Sequence, residues 1–480
     1  MNKVRNRLMS GKLWLLLALA LPQALAHADP APVEKKSSLA DDLRALLLSA
    51  AGKPVAVALI IDAKTGEVIV DLDSKKLIYP ASVEKMFSTA AILRAMPADA
   101  TLTTEVRATP VKSGSVATLA VIGAGDPTMQ AVDLGKLADQ IRAKGIVRVD
   151  RLLIDIGVFD DKLPRGFDEK ATDAAFRAPV GALQVDASAL AVSVRPGPLG
   201  QPPIVEISPS CSDAVVLVNE GETVKGKKST LGVSTRDKGK LTEVLVKGVI
   251  SVGSKGIGSG KRRVADSNYF AAAVLKDALK KRGVEVRGVT VFAKAPGDLE
   301  VIATRSSPKL QAIVSVTNKI SHNQFAETLY KLNAVAGGQI PATAEHAETA
   351  IRKSLSALEI HWNGTVLGNG SGLYHASKVS AQTVVDLLRG MAKDPAGTNW
   401  KASLAVGGVD GTLRARMHDP ATQAKVFAKT GTLDDVVGLA GYADGPQKSY
   451  VFALFYNQIK GGPAPYRAIH DRVMKRLLTQ

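Results

Sequence analysis

The sequence is short of the residues that most often announce chemistry. A single cysteine, Cys211, stands in 480 residues. That excludes an internal disulfide, and with no histidine nearby in sequence it points to a buried small apolar side chain rather than a reactive thiol. The seven histidines are scattered. None forms His-Glu-x-x-His and there is no Cys-x-x-Cys, which argues against a zinc hydrolase. Gly-x-Ser-x-Gly is also missing: "GNGSGLY" sets glycines beside Ser371 but misses the spacing, so a Ser-His-Asp hydrolase has little support.

Long apolar runs are missing too, with one exception at the start. Lys3, Arg5, Arg7 and Lys12 precede an apolar run from Leu13 to Leu21, and Ala24, Ala26 and Ala28 follow. This is the order of a secretory signal peptide over residues 1–28, cleaved after Ala26 or Ala28. The run falls short of the roughly 20 residues that span a bilayer. With no cysteine near the cleavage site, lipid attachment there is excluded. The expected destination is outside the cytoplasm, in the periplasm.

What is present is an ordinary globular composition, 46% apolar and 22% charged, enough for two or three cores. The net charge of +17 includes the four positive residues of the leader, which leaves +13 on the exported chain. A basic exported protein meets anionic wall polymers, lipid head groups or polysaccharide rather than nucleic acid. Residues 221–263 carry 11 Lys or Arg against Glu222, Asp237 and Glu243. They read as a solvated surface, or alternatively as a peripheral docking patch for an anionic wall polymer or membrane surface. Inside this stretch "GSKGIGSGKRR" looks like a phosphate loop but lacks its spacing and the hydroxyl residue after Gly-Lys, and is read as a plain loop.

The chain alternates in texture. "LADDLRALLLSA" predicts an amphipathic helix, and "PVAVALIIDAKTGEVIVDLDS" a hairpin whose turn is Lys64-Thr65-Gly66. "YPASVEKMFSTAAILRAM" predicts a helix with Ser82 at its N-terminus and Val83, Met86, Phe87, Ala90 and Leu93 on its apolar positions. From about 102 to 300 short strands and turns dominate, interrupted by helical patterns near 130–144 and 267–282. Helices return from about 308, and the chain closes on strands around Lys429 and "SYVFALFYN". A final helix, carrying Ile469, Val473 and Leu477, is assigned to the sheet before it rather than to a membrane surface.

A serine can be activated by a lysine. Ser82 and Lys85 are three apart on a helix, so both side chains share one face. The lysine must lose its proton, which needs burial and another positive charge nearby, such as a second lysine. Alone this spacing is a weak signal: Ser306 and Lys309 repeat it around Pro308 in what reads as a connection. Ser321-His322-Asn323 is the one Ser-x-Asn in the chain and opens a helical pattern. Its hydroxyl can relay a proton and its amide can hold a lysine or a substrate carbonyl, or the segment is merely a helix cap. Lys429-Thr430-Gly431-Thr432 on a strand offers a cation and hydroxyls for a carboxylate, and a glycine that permits close approach. The order of the three motifs raises the odds above those of any one.

With that order the sequence resembles the class C low-molecular-mass penicillin-binding proteins, the D-alanyl-D-alanine carboxypeptidase/endopeptidases. "PASVEK", "GAGDPTM", "NGSGL", "GGVDGTLRARM" and "AKTGTLDDVVGLAGY" are similar across most of the exported chain, as is the long separation of Ser82 from Ser321. The resemblance implies an α/β catalytic domain of the penicillin-binding and serine β-lactamase type, an antiparallel sheet flanked by helices. That domain would be built from 29–104 and 300–480 and split by a β-rich insert of one or two domains at 105–299. It implies Ser82 as the acylated nucleophile, Lys85 as its base, and Ser321, Asn323 and Lys429 as proton relay and electrostatic shell. Thr430 would hold the substrate carboxylate beside Gly431, and the N–H groups of Ser82 and Thr432 would form the oxyanion hole. Substrates would be peptidoglycan stem peptides, cut at D-Ala-D-Ala or at cross-links, with β-lactam antibiotics as inhibitors and no metal or cofactor.

Three departures touch the pocket for the peptide side chain: Asn369 for an acid, Tyr374-His375 where an arginine often follows, and Asp434 where glutamine occurs. Glu84 and His322, in the middle of their motifs, are expected to turn outward. Two other readings compete. One is a β-lactamase, although no Glu-x-x-Leu-Asn deacylation segment is visible. The other is a wall-binding protein with a vestigial site.

Overall fold

The computed structural model describes residues 38–226 and 228–479; the signal peptide assigned to 1–28 lies outside them. One antiparallel sheet of six strands joins the two ends of the chain. Its order is Ala405–Val406, Val426–Thr432, Val436–Asp444, Ser449–Asn457, Val55–Asp62 and Val68–Leu72. Val55 lies opposite Asn457 and Asp62 opposite Tyr450.

The central strands are apolar almost without break because both of their faces are covered. Along Ser449–Asn457 the period of two sends Phe452, Leu454 and Tyr456 to one face. There they meet Leu43 and Leu47 of the helix Leu39–Leu48 and Ile469, Val473 and Leu477 of the C-terminal helix Ala464–Leu478. Val451, Ala453 and Phe455 go to the other face, against Phe87 of the helix Lys85–Ala95 and Leu388 of the helix Ala381–Lys393. Each buried Leu or Phe contributes roughly 1.5–3 kcal/mol. The C-terminal helix therefore packs on the sheet, as its apolar stripe suggests.

The chain leaves and returns along two neighbouring antiparallel strands, Thr103–Ala108 and Glu300–Ser306. Between them lie a mixed sheet with Ser115–Ile122 and Arg148–Asp155, two three-stranded sheets, and the helices Ala131–Ala143 and Ser267–Lys281. The two helices fall where the periodicity places them. The run read as a plain loop does not: Ile257–Arg263 is a strand paired with Ala189–Arg195. Its glycines hid the pattern. The register shifts between Gly258 and Lys261, so they serve an irregular strand rather than a connection.

The first Lys-Thr-Gly is a hairpin turn. Asp62 Oδ1 accepts the backbone N–H groups of Lys64 and Thr65 at 2.9 and 2.8 Å, and Gly66 takes φ 76°.

The helix Lys85–Ala95 is buried all round, so its sequence is apolar or small at nearly every position. It is entered through a 3₁₀ turn, Ala81–Glu84, that starts with Ala81 at φ 47°. Gly372, at φ 67°, packs directly on this turn: a Cβ there would lie 1.9 Å from the Ala81 carbonyl oxygen. Gly372→Ala should lower stability by about 2–4 kcal/mol, through both the backbone conformation and the clash. Gly283→Ala, also at positive φ but facing open space, should cost only about 1 kcal/mol. Equal shifts in Tm for the two variants would refute this account of the packing.

Candidate active site

Lys85 lies in the first turn of its helix, wholly buried at 0% exposure. Its Nζ is 2.9 Å from Ser82 Oγ, 2.9 Å from Asn323 Oδ1 and 2.5 Å from the Ser371 carbonyl oxygen. Burial pushes its pKa down to about 7, against the opposing charges of Glu327 and Glu84. Near neutral pH a large fraction of Lys85 is therefore the free amine. Burial is the main cause; the second lysine expected to assist is Lys429, whose charge and that of Lys85 oppose one another, while Glu327 and Glu84 act in the other direction.

Lys429 is equally buried and lies well below its ordinary value, by burial first and by Lys85 second. It sits on the strand Val426–Thr432, where its Nζ donates to Ser321 Oγ and to the Thr430 carbonyl, both at 2.9 Å. Gly431 lets the nucleophile turn lie against this strand, since a Cβ would be 2.7 Å from the Pro80 carbonyl oxygen. Thr430 Oγ1 donates to Thr412 Oγ1 at 2.8 Å, and Thr432 Oγ1 donates to the Gly431 carbonyl at 2.8 Å. Ser82, Lys85, Ser321, Asn323 and Lys429 are thus brought together from segments far apart in sequence, with Thr430, Gly431 and Thr432 alongside.

Ser321 holds φ 61° just before the helix Asn323–Ala336. The cap of that helix is His322, whose Nδ1 accepts the Phe325 N–H at 3.4 Å while its ring packs 4.5 Å from that of Phe325. His322 is half-buried, and its pKa falls to about 4 through burial, then Lys85 and Lys261. Glu84 does not turn outward either: it is 2% exposed and Ser377 Oγ donates to its Oε1 at 2.6 Å. Burial raises its pKa well above the carboxylate range. The short 3₁₀ turn, rather than an α-helical start, aims this position inward.

Several participants were invisible as motifs. Glu327 is one helical turn beyond Asn323 and accepts the N–H groups of Gly370 and Ser371 at 2.9 and 3.0 Å. That clamp aims the Ser371 carbonyl at Lys85. Asn369 Oδ1 holds the next N–H, that of Gly372, at 2.8 Å, so the amide in place of an acid still serves as an acceptor. The spacing from Asn323 to Glu327 was a readable signal, but Ser371 required the fold. Arg467 of the C-terminal helix donates to Thr432 Oγ1 at 2.8 Å.

The segment 167–177 lies along the edge of the site. Phe176 accepts the second amide hydrogen bond of Asn323 at its carbonyl, 3.1 Å away. His375 sits between Asp435, 3.1 Å from Nε2, and Glu169, 3.3 Å from Nδ1. Lys170 reaches the exposed Asp434 at 3.4 Å. Tyr374 is buried, which pushes its phenol up to about 12.

A half-buried serine on a buried lysine, a second lysine on a hydroxyl and a row of threonines make an arrangement suited to acyl transfer. Comparison with known proteins agrees with that chemistry. The D-Ala-D-Ala carboxypeptidase 3 (S13) family matches residues 39–478. The D-alanyl-D-alanine carboxypeptidase of Actinomadura sp. (strain R39) is 32% identical over 483 residues, covering 95% of this chain and 88% of that protein. In fold, the chain is similar to penicillin binding protein 4 (dacB) from Haemophilus influenzae, also solved complexed with a β-lactam. The TM-score is 0.79 at 22% identity, over 92% of this chain and 99% of that one. A predatory endopeptidase of Bdellovibrio bacteriovorus in complex with an immunity protein gives a TM-score of 0.51 at 16% identity, over 88% and 93%. Through the match that spans residues 39–478 and a relative aligned along nearly its whole length, the chain belongs to the D-Ala-D-Ala carboxypeptidase 3 (S13) family.

Proposed function

We propose that the chain removes the terminal D-alanine of peptidoglycan stem peptides through a Ser82 acyl-enzyme, and that it also opens cross-links by the same chemistry. The observation that carries this reading is the buried Lys85 amine, 2.9 Å from Ser82 Oγ and fixed by two further acceptors.

The neutral amine takes the Ser82 hydroxyl proton as Oγ attacks the penultimate D-alanine carbonyl. The tetrahedral oxyanion is held by the N–H groups of Ser82 and Thr432, each worth about 3 kcal/mol of barrier. The leaving D-alanine nitrogen takes up a proton supplied through Lys85 or the Ser321–Lys429 pair, the C–N bond breaks, and water then cleaves the ester at Ser82. Thr430 and Thr432 face the terminal carboxylate. In a cross-link the leaving amine belongs to a neighbouring stem peptide. A β-lactam acylates Ser82 in the same way, but its leaving nitrogen stays tethered and slows deacylation.

The leader segment and the basic surface support an exported, periplasmic enzyme in peripheral contact with the wall or the membrane surface. Within 221–263, Arg236, Arg262 and Arg263 are neutralised by Glu243, Asp173 and Asp237, whereas Lys225, Lys238 and Lys255 are exposed. The catalytic body would be built from 29–104 and 300–480, with 105–299 inserted.

Labelled penicillin should form a lasting adduct with the protein and none with Ser82→Ala. Rapid turnover of the penicillin would favour a β-lactamase, and no adduct in the unaltered protein would sink both enzyme readings. The acylation rate should rise with pH through about 7, because Lys85 acts only after losing its proton. Glu327 favours the charged lysine, so Glu327→Gln should move that midpoint to lower pH. It should also lower the plateau roughly tenfold, as one N–H of the 370–371 clamp loses its acceptor. An unchanged profile would contradict the role given to Glu327.

A further inference from the structure

Arg467 stands in the first turn of the C-terminal helix, whose neighbours Tyr466, Ile469 and Val473 are buried against the sheet. Its guanidinium instead reaches Thr432, where Nη2 donates to Oγ1 at 2.8 Å. It is half-buried, and among the described residues no carboxylate forms an ion pair with it. Asp471, one turn along the helix, attracts it electrostatically but is ion-paired with Arg416 at 2.6 Å. Burial, then Arg416, lowers its pKa against the pull of Asp471, yet a guanidinium stays charged at any pH the protein meets. A partly desolvated cation with no carboxylate bonded to it gains from an arriving anion.

The hydrogen bond also has a polarity. A threonine hydroxyl has one proton and two lone pairs. Because Arg467 occupies an acceptor position of Thr432 Oγ1, the hydroxyl proton must be donated elsewhere. In this structure it goes to the Gly431 carbonyl at 2.8 Å. Thr430 is also committed as a donor, to Thr412. A carboxylate entering between the two threonines would find both hydroxyls able to turn protons toward it, and the guanidinium charge directly behind one of them.

We infer that Arg467 is a specificity-determining positioning residue: acting through Thr432, it makes the site demand a carboxylate next to the scissile amide. The inference rests on the proposed acylation of Ser82 and deepens it. The helix that closes the fold thereby also sets which ligands acylate.

The test compares second-order acylation rates of a penicillin and of its carboxylate methyl ester on the full chain, with the adduct read by mass. The unaltered protein should prefer the free carboxylate. Arg467→Gln should slow acylation by the carboxylate form at least tenfold while changing the ester rate by no more than about twofold, so the preference collapses. Arg467→Lys, which keeps the charge, should restore at least half of the preference on a logarithmic scale. Equal losses for both ligands, an undiminished preference in the Gln variant, or a Lys variant no better than Gln would overturn the inference. Should the Gln variant fail to fold, a Lys variant that melts normally yet lacks the preference would overturn it as well. If the unaltered protein labels with neither ligand, the acyl-enzyme reading falls and this inference with it; labelling without an effect of Arg467 overturns the inference alone.

Discussion

The burial of Lys85 is the constraint on which the rest depends. An ammonium ion removed from water loses solvation worth several kcal/mol, and among the described residues no carboxylate lies at bonding distance to restore it. The nearest acids, Glu327 and Glu84, sit behind the first ring of contacts and offset only part of the penalty. What surrounds Nζ is a hydroxyl, an amide oxygen and a carbonyl, each able to accept from the neutral amine. The hydroxyl can also donate to its lone pair. Such an environment holds a base, whereas a salt bridge would have held an acid.

Keeping that environment dry and rigid explains much of the surrounding architecture. The nucleophile turn is pressed between Gly372 on one side and Gly431 on the other, where no side chain fits. Ala81 and Ser321 hold positive φ at the two places where serines must point at lysines, a strain of about 1–3 kcal/mol each. The buried helix Lys85–Ala95 and the six-stranded sheet supply the packing that sustains it. Glu327 works one layer out, fixing Gly370 and Ser371 so that a carbonyl, not a charge, faces the lysine.

The candidate site residues were legible because their spacing is local: a serine and a lysine three apart across one turn, a Ser-x-Asn at a helix start and four residues on a strand. Order separated the two Ala-Lys-Thr-Gly copies, and the structure agrees, with Lys64 in an exposed turn and Lys429 wholly buried. The amphipathic elements were legible for the same reason. The segments around Ser371 and Thr412 carry the family resemblance, but the Ser371 carbonyl on Lys85 and the Thr412 hydroxyl on Thr430 were not legible, nor was Arg467, because each contact is made only by the fold. Glu84 misled because its outward direction assumed an α-helix where the chain makes a 3₁₀ turn. The strand Ile257–Arg263 misled because glycine and lysine are poor strand formers, and only its partners make it one.

The most direct test of the account is the ionisation of Lys85 itself. Lysine labelled at Cε and Nζ can be titrated by NMR in the free protein, with Lys85→Met assigning the signal. The account predicts a midpoint near about 7 for Lys85. A midpoint at the ordinary lysine value of about 10.4 would mean that the amine is charged at neutral pH, and the mechanism built on it would be wrong.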